Sequence, residues 1–323
     1  MHAQMPILRD IIYGAVSRGA DLNEICQALA IDPRHLNESE RLVPFKPAAE
    51  VWDVSLQHTQ DPLLGLHLGE EIGLGILGML GYLMQNCRTL QEAIVMLSKY
   101  NSLHSTMLKY GLEESGTRMV IRYEPAILWQ HQYPESVRQS IELAMSAMVK
   151  IFNVLSGKKI FPVRVELAYP SRALPEYERV FQSVIEFNAD KNGLVFQKDD
   201  LMTAIISHDR SLFAFFNDTL GQKLQALEGH KEFSARIKHM VISDFKGRVP
   251  SIEIAASHLS MTPRAIQRKL KEEQTSYRHI ATTFKRELAE SILNTQQFRV
   301  GEIAAILGYS DSSAFRKAQK KWT

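Results

Sequence analysis

SIEIAASHLSMTPRAIQRKLKEE, Ser251 to Glu273, decides how this chain is read, and VGEIAAILGYSDSSAFRKAQKKW, Val300 to Trp322, repeats its plan. In each, a short apolar helix runs into a tight turn and then a helix dense in Arg, Lys, Gln or Ser. Helices joined this way form a helix-turn-helix, in which the first braces the second and the second offers polar side chains to a DNA major groove. In the first copy Ser251 is placed to cap a helix, and Glu253 sits in the first turn, where the positive helix end favours acid. Ile252, Ala255, Ala256 and Leu259 form the inner face, and the small Ala255 permits close approach of the partner helix. Ser260-Met261 makes the turn, Thr262 is the next N-cap, and Pro263 suits the first helical position. Ile266 and Leu270 then face inward, while Arg264, Gln267, Arg268 and Lys271 share the opposite face. Arg and Gln can pair bidentately with guanine and adenine edges, and Lys271, further along, is expected at phosphate. A charged face alone is usually just a solvated helix surface. That simpler account leaves unexplained the capped turn, the buried pattern and the second copy.

In the second copy, Gly301 to Leu307 is the expected bracing helix, with Ile303, Ala304 and Leu307 inward. Gly308 ends it, as a left-handed residue would, and Tyr309 packs beneath the turn. Asp311 or Ser312 caps the last helix, whose exposed residues are Ser312, Ser313, Arg316, Lys317 and Lys320, with Phe315 and Trp322 buried.

Charge is divided along the chain. From residue 231 onward 17 Lys/Arg stand against 9 Asp/Glu, a net of +8, whereas the preceding residues carry a net of −6. A basic tail on an acidic front domain points to nucleic acid as the tail's partner and gives the front another task. Cys26 and Cys87 lack metal-ligand spacing, and no signal peptide precedes them, so a reduced cytoplasmic setting is expected. The longest apolar stretch, Ile72 to Met84, is too short for a bilayer and is interrupted by glycines; no membrane partner is expected.

The front of the chain reads as α+β. Helical spacing covers Leu8–Arg18, Leu22–Ala28 with Asp21 as N-cap, Pro47–Gln57, Pro62–Glu71, Gly75–Asn86 and Thr89–Asn101. Ser105–Leu112 and Arg118–Tyr123 are β-rich around a turn at Glu113–Thr117. A long helix is expected over Ser136–Leu155, a strand over Val163–Ala168, a helix over Glu176–Phe181, and short strands at Glu186-Phe187 and Gly193–Phe196. Strands and helices do not alternate, which excludes a parallel-sheet fold. Asp209–Leu227 is amphipathic, with Leu212, Phe213, Phe216, Leu220, Leu224 and Leu227 at helical intervals; it is either a dimer seam or an internal buttress. Gly229-His230 marks the boundary between an α+β domain, residues 1–229, and an all-α domain, residues 230–323, with two helix-turn-helix motifs.

The tail resembles the AraC/XylS family of bacterial transcription regulators. The family signature E-I-A-x-x-L-G-Y-x-D-x-S-x-F-x-R-x-F-K-x-W meets EIAAILGYSDSSAFRKAQKKW here, and the upstream A-A-x-x-L-x-M-T-x-R-x-(I/L)-Q-R-K-L-K-E-E portion matches as well. The resemblance implies two recognition helices in neighbouring major-groove segments, held apart by a linker helix at about Tyr277–Leu293. Arg264, Gln267 and Arg268 fall where the first reads bases, and Ser312, Ser313 and Lys317 where the second does. Gln274 stands where the family has Gly, at a cost on the order of 1 kcal/mol if left-handed. Lys317 replaces Arg, and Gln319 replaces a core Phe. The chain stops at Thr323 where relatives continue, so a shortened C-terminus is expected. The front domain is similar to the arabinose-binding-like N-terminal domain of one branch, through DPLLGLHLGE, GLGILGMLGYLMQNCRTLQEAIVMLSKYNSLHS and VIEFNADKNGLVFQKDDL. That label describes homology and does not establish sugar as ligand. The resemblance implies a homodimeric activator that binds promoter DNA, responds to a small-molecule effector and contacts RNA polymerase.

Competing chemistry is thin. Gly73-Leu74-Gly75-Ile76-Leu77-Gly78 matches G-x-G-x-x-G and would make the chain a dinucleotide-dependent enzyme with a DNA-binding appendage. The stretch before it reads as helix and not strand, which favours a close-packed helix, no cofactor and no enzyme. His104, Trp129, His131 and Tyr133 are candidates for an effector pocket, against a plainer role in packing or at the surface. His58 and His67 do not share a face at metal-ligand spacing, and no catalytic nucleophile motif is present.

Overall fold

The computed structural model describes residues 1–323 apart from 172, 230–232, 244, 246–248, 294–299, 301–303, 305–310 and 320–323. Its contacts divide it into two units, Met1–Pro125 with Tyr133–Leu224, and Ala126–Gln132 with Gln225–Thr323.

The first unit opens with strand β1 (His2–Gln4), which pairs antiparallel with β2 (Leu42–Pro44) in register Gln4↔Leu42. Neither strand is legible in the sequence, because each is too short to show alternation. Between them lie α1 (Met5–Val16) and α2 (Leu22–Ala28). Leu8, Ile11, Ile12 and Ala15 are all buried in α1. The Asp21 carboxylate caps α2 as expected, accepting from the N–H groups of Asn23 and Glu24 at 2.8 and 2.9 Å. Helices α3 (Phe45–Thr59) and α4 (Leu64–Glu71) follow. The single helix expected over Gly75–Asn86 is instead broken. Leu74–Leu77 forms one tight 3-10 turn, Gly78 swings to φ +52°, and only then does α5 (Met79–Gln85) begin. Gly78 allows the break because a Cβ there would be strained. Thr89 caps α6 (Leu90–Tyr100).

A five-stranded sheet follows, built from β3 (Leu108–Ser115), β4 (Arg118–Pro125), β5 (Arg164–Leu167), β6 (Val184–Phe187) and β7 (Asn192–Gln197). Its order is β3-β4-β7-β5-β6, antiparallel except between β5 and β6. Between β4 and β5 lie the short α7 (Ile127–Gln132) and the long α8 (Pro134–Ser156); α9 (Leu174–Phe181) and α10 (Lys198–Leu201) flank the last strands. Buried side chains occupy most of α8, among them Ile141, Met145, Met148 and Phe152. Across it runs α4, so close that a Cβ on Gly65 would lie 2.1 Å from the Gln139 carbonyl oxygen. The Gln139 side chain locks the crossing, accepting from the Gly65 N–H at 2.7 Å and donating to the Pro62 carbonyl at 2.8 Å. Further along α8, Glu142 accepts from Arg138 at 2.8 Å and from the Tyr177 hydroxyl of α9 at 2.5 Å. Burial pushes the Glu142 carboxyl up, and these partners counter it.

The first unit ends within α11 (Arg210–Gly229), the expected amphipathic helix. Of its spaced apolar residues Leu220 is buried, Phe213, Phe216, Leu224 and Leu227 are half-buried, and Leu212 is exposed. Among its described residues only Leu220 is buried, and Leu212 and Phe215 are 48% and 60% exposed. The Tyr100 hydroxyl donates to Asn217 at 2.8 Å and Phe216 stacks on Tyr82, which fixes one side and leaves the other open.

In the second unit every described element is helical: α7, α12 (Phe233–Ser243), α13 (Ile252–His258), α14 (Pro263–Glu272), α15 (Tyr277–Leu293) and α16 (Ser312–Gln319). Ile237, Met240, Ile266, Leu270, Ile280 and Phe315 belong to its core, and Leu128 of α7 packs against that cluster.

Candidate nucleic-acid interface

Short-range chemistry builds the pair α13–α14. The Ser251 hydroxyl accepts from the Ile254 N–H at 3.4 Å, and Thr262 Oγ1 accepts from the Ala265 N–H at 3.2 Å. Between them the chain reverses through Ser260 at φ +52°, and the Met261 N–H donates back to the Ala256 carbonyl at 2.8 Å. Pro263 starts α14 at the position where a missing N–H costs nothing. Ala255 and Ala256 are buried, and so are Ile266 and Leu270 on α14. Arg264, Gln267, Arg268 and Lys271 are all exposed and, at this spacing, form one stripe on the opposite face. Arg268 approaches Glu272 at 3.9 Å, with both side chains largely in water. Such a pair is weak and yields readily to phosphate.

Three supports of this stripe escape a reading of the sequence. Both oxygens of Glu273 accept from the first N–H groups of α12, those of Phe233 and Ser234. The Lys269 ammonium lies 5.6 Å from the Phe233 ring centre, so this cation covers the core and leaves the stripe to its neighbours. The Tyr277 hydroxyl donates to the Pro250 carbonyl at 2.9 Å, tying the start of α15 to the entry of α13, and burial pushes the phenol up to about 12. The acid at 273 was the one available signal, since carboxylates favour helix starts, but its helix lies far off in sequence.

The bracing helix expected at Gly301–Leu307 lies outside the described residues except Ala304, which is buried. Gly308, Tyr309, Lys320 and Trp322 also lie outside them. Asp311, not Ser312, caps α16, accepting from Ser313 and Ala314 at 2.8 Å each. Ser313, Arg316 and Lys317 are exposed, Ser312 is half-buried, and Phe315 is fully buried.

His104 and Tyr133 fall in the first unit, Trp129 and His131 on α7 in the second. His104 is buried, its Nδ1 bonded to Gln4 Oε1 at 2.9 Å, and burial lowers its pKa to about 4. The Tyr133 hydroxyl donates to Glu50 at 3.3 Å and its ring meets Phe45 edge-on at 5.7 Å. The G-x-G-x-x-G stretch follows helix α4 and not a strand, so it lacks the strand–turn–helix cradle of a dinucleotide site. Among the described residues no His/Cys/Asp/Glu cluster could hold a metal, and no helix is long and apolar enough to cross a membrane.

A family profile described as the arabinose-binding domain of AraC transcription regulator, N-terminal, matches residues 19–205. The chain belongs to the AraC family of transcription regulators. Among similar proteins, the ornithine utilization regulator of Pseudomonas aeruginosa is 28% identical over 81% of this chain and 76% of its own length. The HTH-type transcriptional regulator VirS of Mycobacterium tuberculosis is 23% identical over 94% of this chain and 88% of its own. A crystal structure of the transcriptional regulator CdpR from Pseudomonas aeruginosa covers 93% of both chains at 22% identity, with a TM-score of 0.46. These relatives are regulators and not enzymes.

This AraC-type regulator departs from the family pattern at three positions of its tail. Gln274 does adopt the left-handed conformation, at φ +55°, where the family has Gly. Gln319 does not occupy a core position; it is exposed, so its amide needs no buried partner. Lys317 is exposed and offers a point charge in place of the family's planar guanidinium.

Proposed function

We propose that the regulator is a sequence-specific, effector-controlled activator, and that α14 and α16 are its two recognition helices in helix-turn-helix motifs. The observation that carries this reading is the stripe Arg264, Gln267, Arg268 and Lys271, exposed together on a capped helix whose other face is buried. Arg264, Gln267 and Arg268 read base edges and Lys271 meets phosphate. On α16, Ser312, Ser313 and Lys317 take the second groove segment, with Arg316 beside them. Residues 1–229 act as the effector and dimerisation domain and residues 230–323 as the DNA-binding domain, working in the cytoplasm with RNA polymerase at the promoter.

A second copy of the chain is the partner for α11, whose Leu212 and Phe215 stand in water three residues apart on the helix. Effector binding to the first domain shifts the population of tail arrangements in that dimer. The relative named for ornithine utilization makes amino-acid metabolites the first effectors to try.

Fluorescence anisotropy on the cognate promoter fragment tests the reading. Arg268→Ala should weaken specific binding by about 1–3 kcal/mol and relax base choice locally. Unchanged affinity and selectivity in that variant would remove α14 from the groove. Sedimentation of Phe215→Glu should show a monomer if α11 is the dimer seam; an unchanged dimer would exclude it.

A further inference from the structure

The first unit contains an open groove of about 670 Å³ between the end of α2 and strand β2. That volume lies within the range of small-molecule sites. Its floor is apolar and buried, made by Met5, Leu29 and Val43. Charges of both signs line it: Arg41 is paired with Glu38 at 2.9 Å and Asp32 with Arg34 at 2.6 Å, which leaves Lys46 and Glu50 as the cation and anion open to a ligand. A hydrogen bond and ion pair from Arg34 hold the Asp32 carboxyl below its ordinary range. Lys46 comes only within 3.8 Å of Glu50, too far for a hydrogen bond.

The walls of this groove are held from behind. Strand β2 is carried by β1, where the Met5 N–H donates to the Arg41 carbonyl at 2.8 Å. Gln4, one residue earlier, is gripped by His104 twice: its N–H donates to the His104 carbonyl at 2.8 Å and its side chain meets the ring. Across the groove, Tyr133 supports Glu50 through its hydroxyl and Phe45 through its ring. Two of the residues singled out in the sequence thus stand one layer behind the opening, in positioning roles.

We infer that this groove is the effector site and that its ligand is a zwitterionic metabolite of the α-amino-acid class. The inference rests on the effector-controlled reading above and names the site and ligand that reading leaves open. An ammonium meets Glu50, a carboxylate meets Lys46, and the side chain lies on the floor of Met5, Leu29 and Val43. A plain amine leaves Lys46, and a plain carboxylate leaves Glu50, without a ligand counterpart.

Titration calorimetry on the full chain, with each of the twenty common α-amino acids in turn, tests this. Each amino acid that binds is compared with its decarboxylated amine and its deaminated acid. At least one amino acid should bind saturably, and both single-charge analogues should bind about tenfold or more weakly. Lys46→Met and Glu50→Gln should each weaken it by about tenfold, Lys46→Arg should restore most of the affinity, and Ala28→Trp should block the groove. Melting curves confirm that each variant is folded. Binding of an amino acid with the same affinity in all these variants would move the site elsewhere while leaving effector control intact. Equal binding of either analogue, or no binding by any of the twenty, would overturn the ligand class. Promoter binding by the unliganded wild type is read separately, and its failure would strike the regulatory reading and not the groove.

Discussion

In α8, buried side chains occupy most positions, from Val137 to Leu155; in α14 only Ile266 and Leu270 are buried, and the rest of the helix faces water or its rim. The first is held by long-range partners: Gln139 locks α4, and Glu142 holds Tyr177 of α9. The second is held by a cap at Thr262, a proline and a two-residue apolar seam. The difference teaches where substitutions will register. Changes around α8 should appear as lost stability, since close packing transmits any added volume. Changes on the α14 stripe should appear as altered binding with the fold intact.

The sharpest way to break this contrast is Gly65→Ala. The new methyl would meet the Gln139 backbone oxygen, which cannot rotate away. Urea unfolding should show a loss of about 3 kcal/mol, with promoter contacts untouched in the protein that remains folded. A loss indistinguishable from zero would mean that the α4–α8 crossing is loose.

Next comes acid. Burial holds folded His104 neutral down to about pH 4, whereas the unfolded residue takes up a proton near pH ~6.5. Below that value the unfolded state binds the extra proton, so stability falls as pH drops from ~6.5 towards ~4, by on the order of 3 kcal/mol. His104→Gln keeps a polar partner for Gln4 but cannot titrate, and its stability curve should lack this part of the slope. Parallel curves for the two proteins would show that His104 is accessible to water.

Smaller effects belong to the tail. Glu273→Ala removes the carboxylate from the first turn of α12 and should cost about 1–2 kcal/mol in thermal unfolding of the second transition. Lys271→Ala should leave unfolding unchanged, weaken all DNA sequences alike, and reduce the salt dependence of binding by about one unit of slope. A sequence-selective loss would make Lys271 a base reader. The smallest effect is a gain: Gln274→Gly relieves a left-handed side-chain residue and should raise stability by up to about 1 kcal/mol. A decrease would show that the Gln274 side chain has a role in the turn.

The tail's caps were legible in advance for a physical reason. Ser251, Thr262 and Asp311, the last one of two candidates with Ser312, each bond N–H groups two or three residues ahead, so cap and partner lie in the same short stretch. The same holds for Asp21 at the start of α2, and for the helical spacing that predicted α6 and α8. The break at Gly78 was not legible, because Gly75–Asn86 carries unbroken apolar spacing and glycine tolerates both helix and turn.

Sequence alone determined the helical tail, its polar stripe and the α+β character of the front, because turn chemistry and periodicity act over a few neighbouring residues. Only the tertiary structure decided that β1 and β2 pair, that α11 leaves Leu212 and Phe215 exposed, that Gln319 stands in water and that His104 and Tyr133 back a groove. Those outcomes join residues far apart along the chain, such as Gln4 with His104 and Glu50 with Tyr133. No local preference encodes such a meeting; it exists only once the intervening elements have packed.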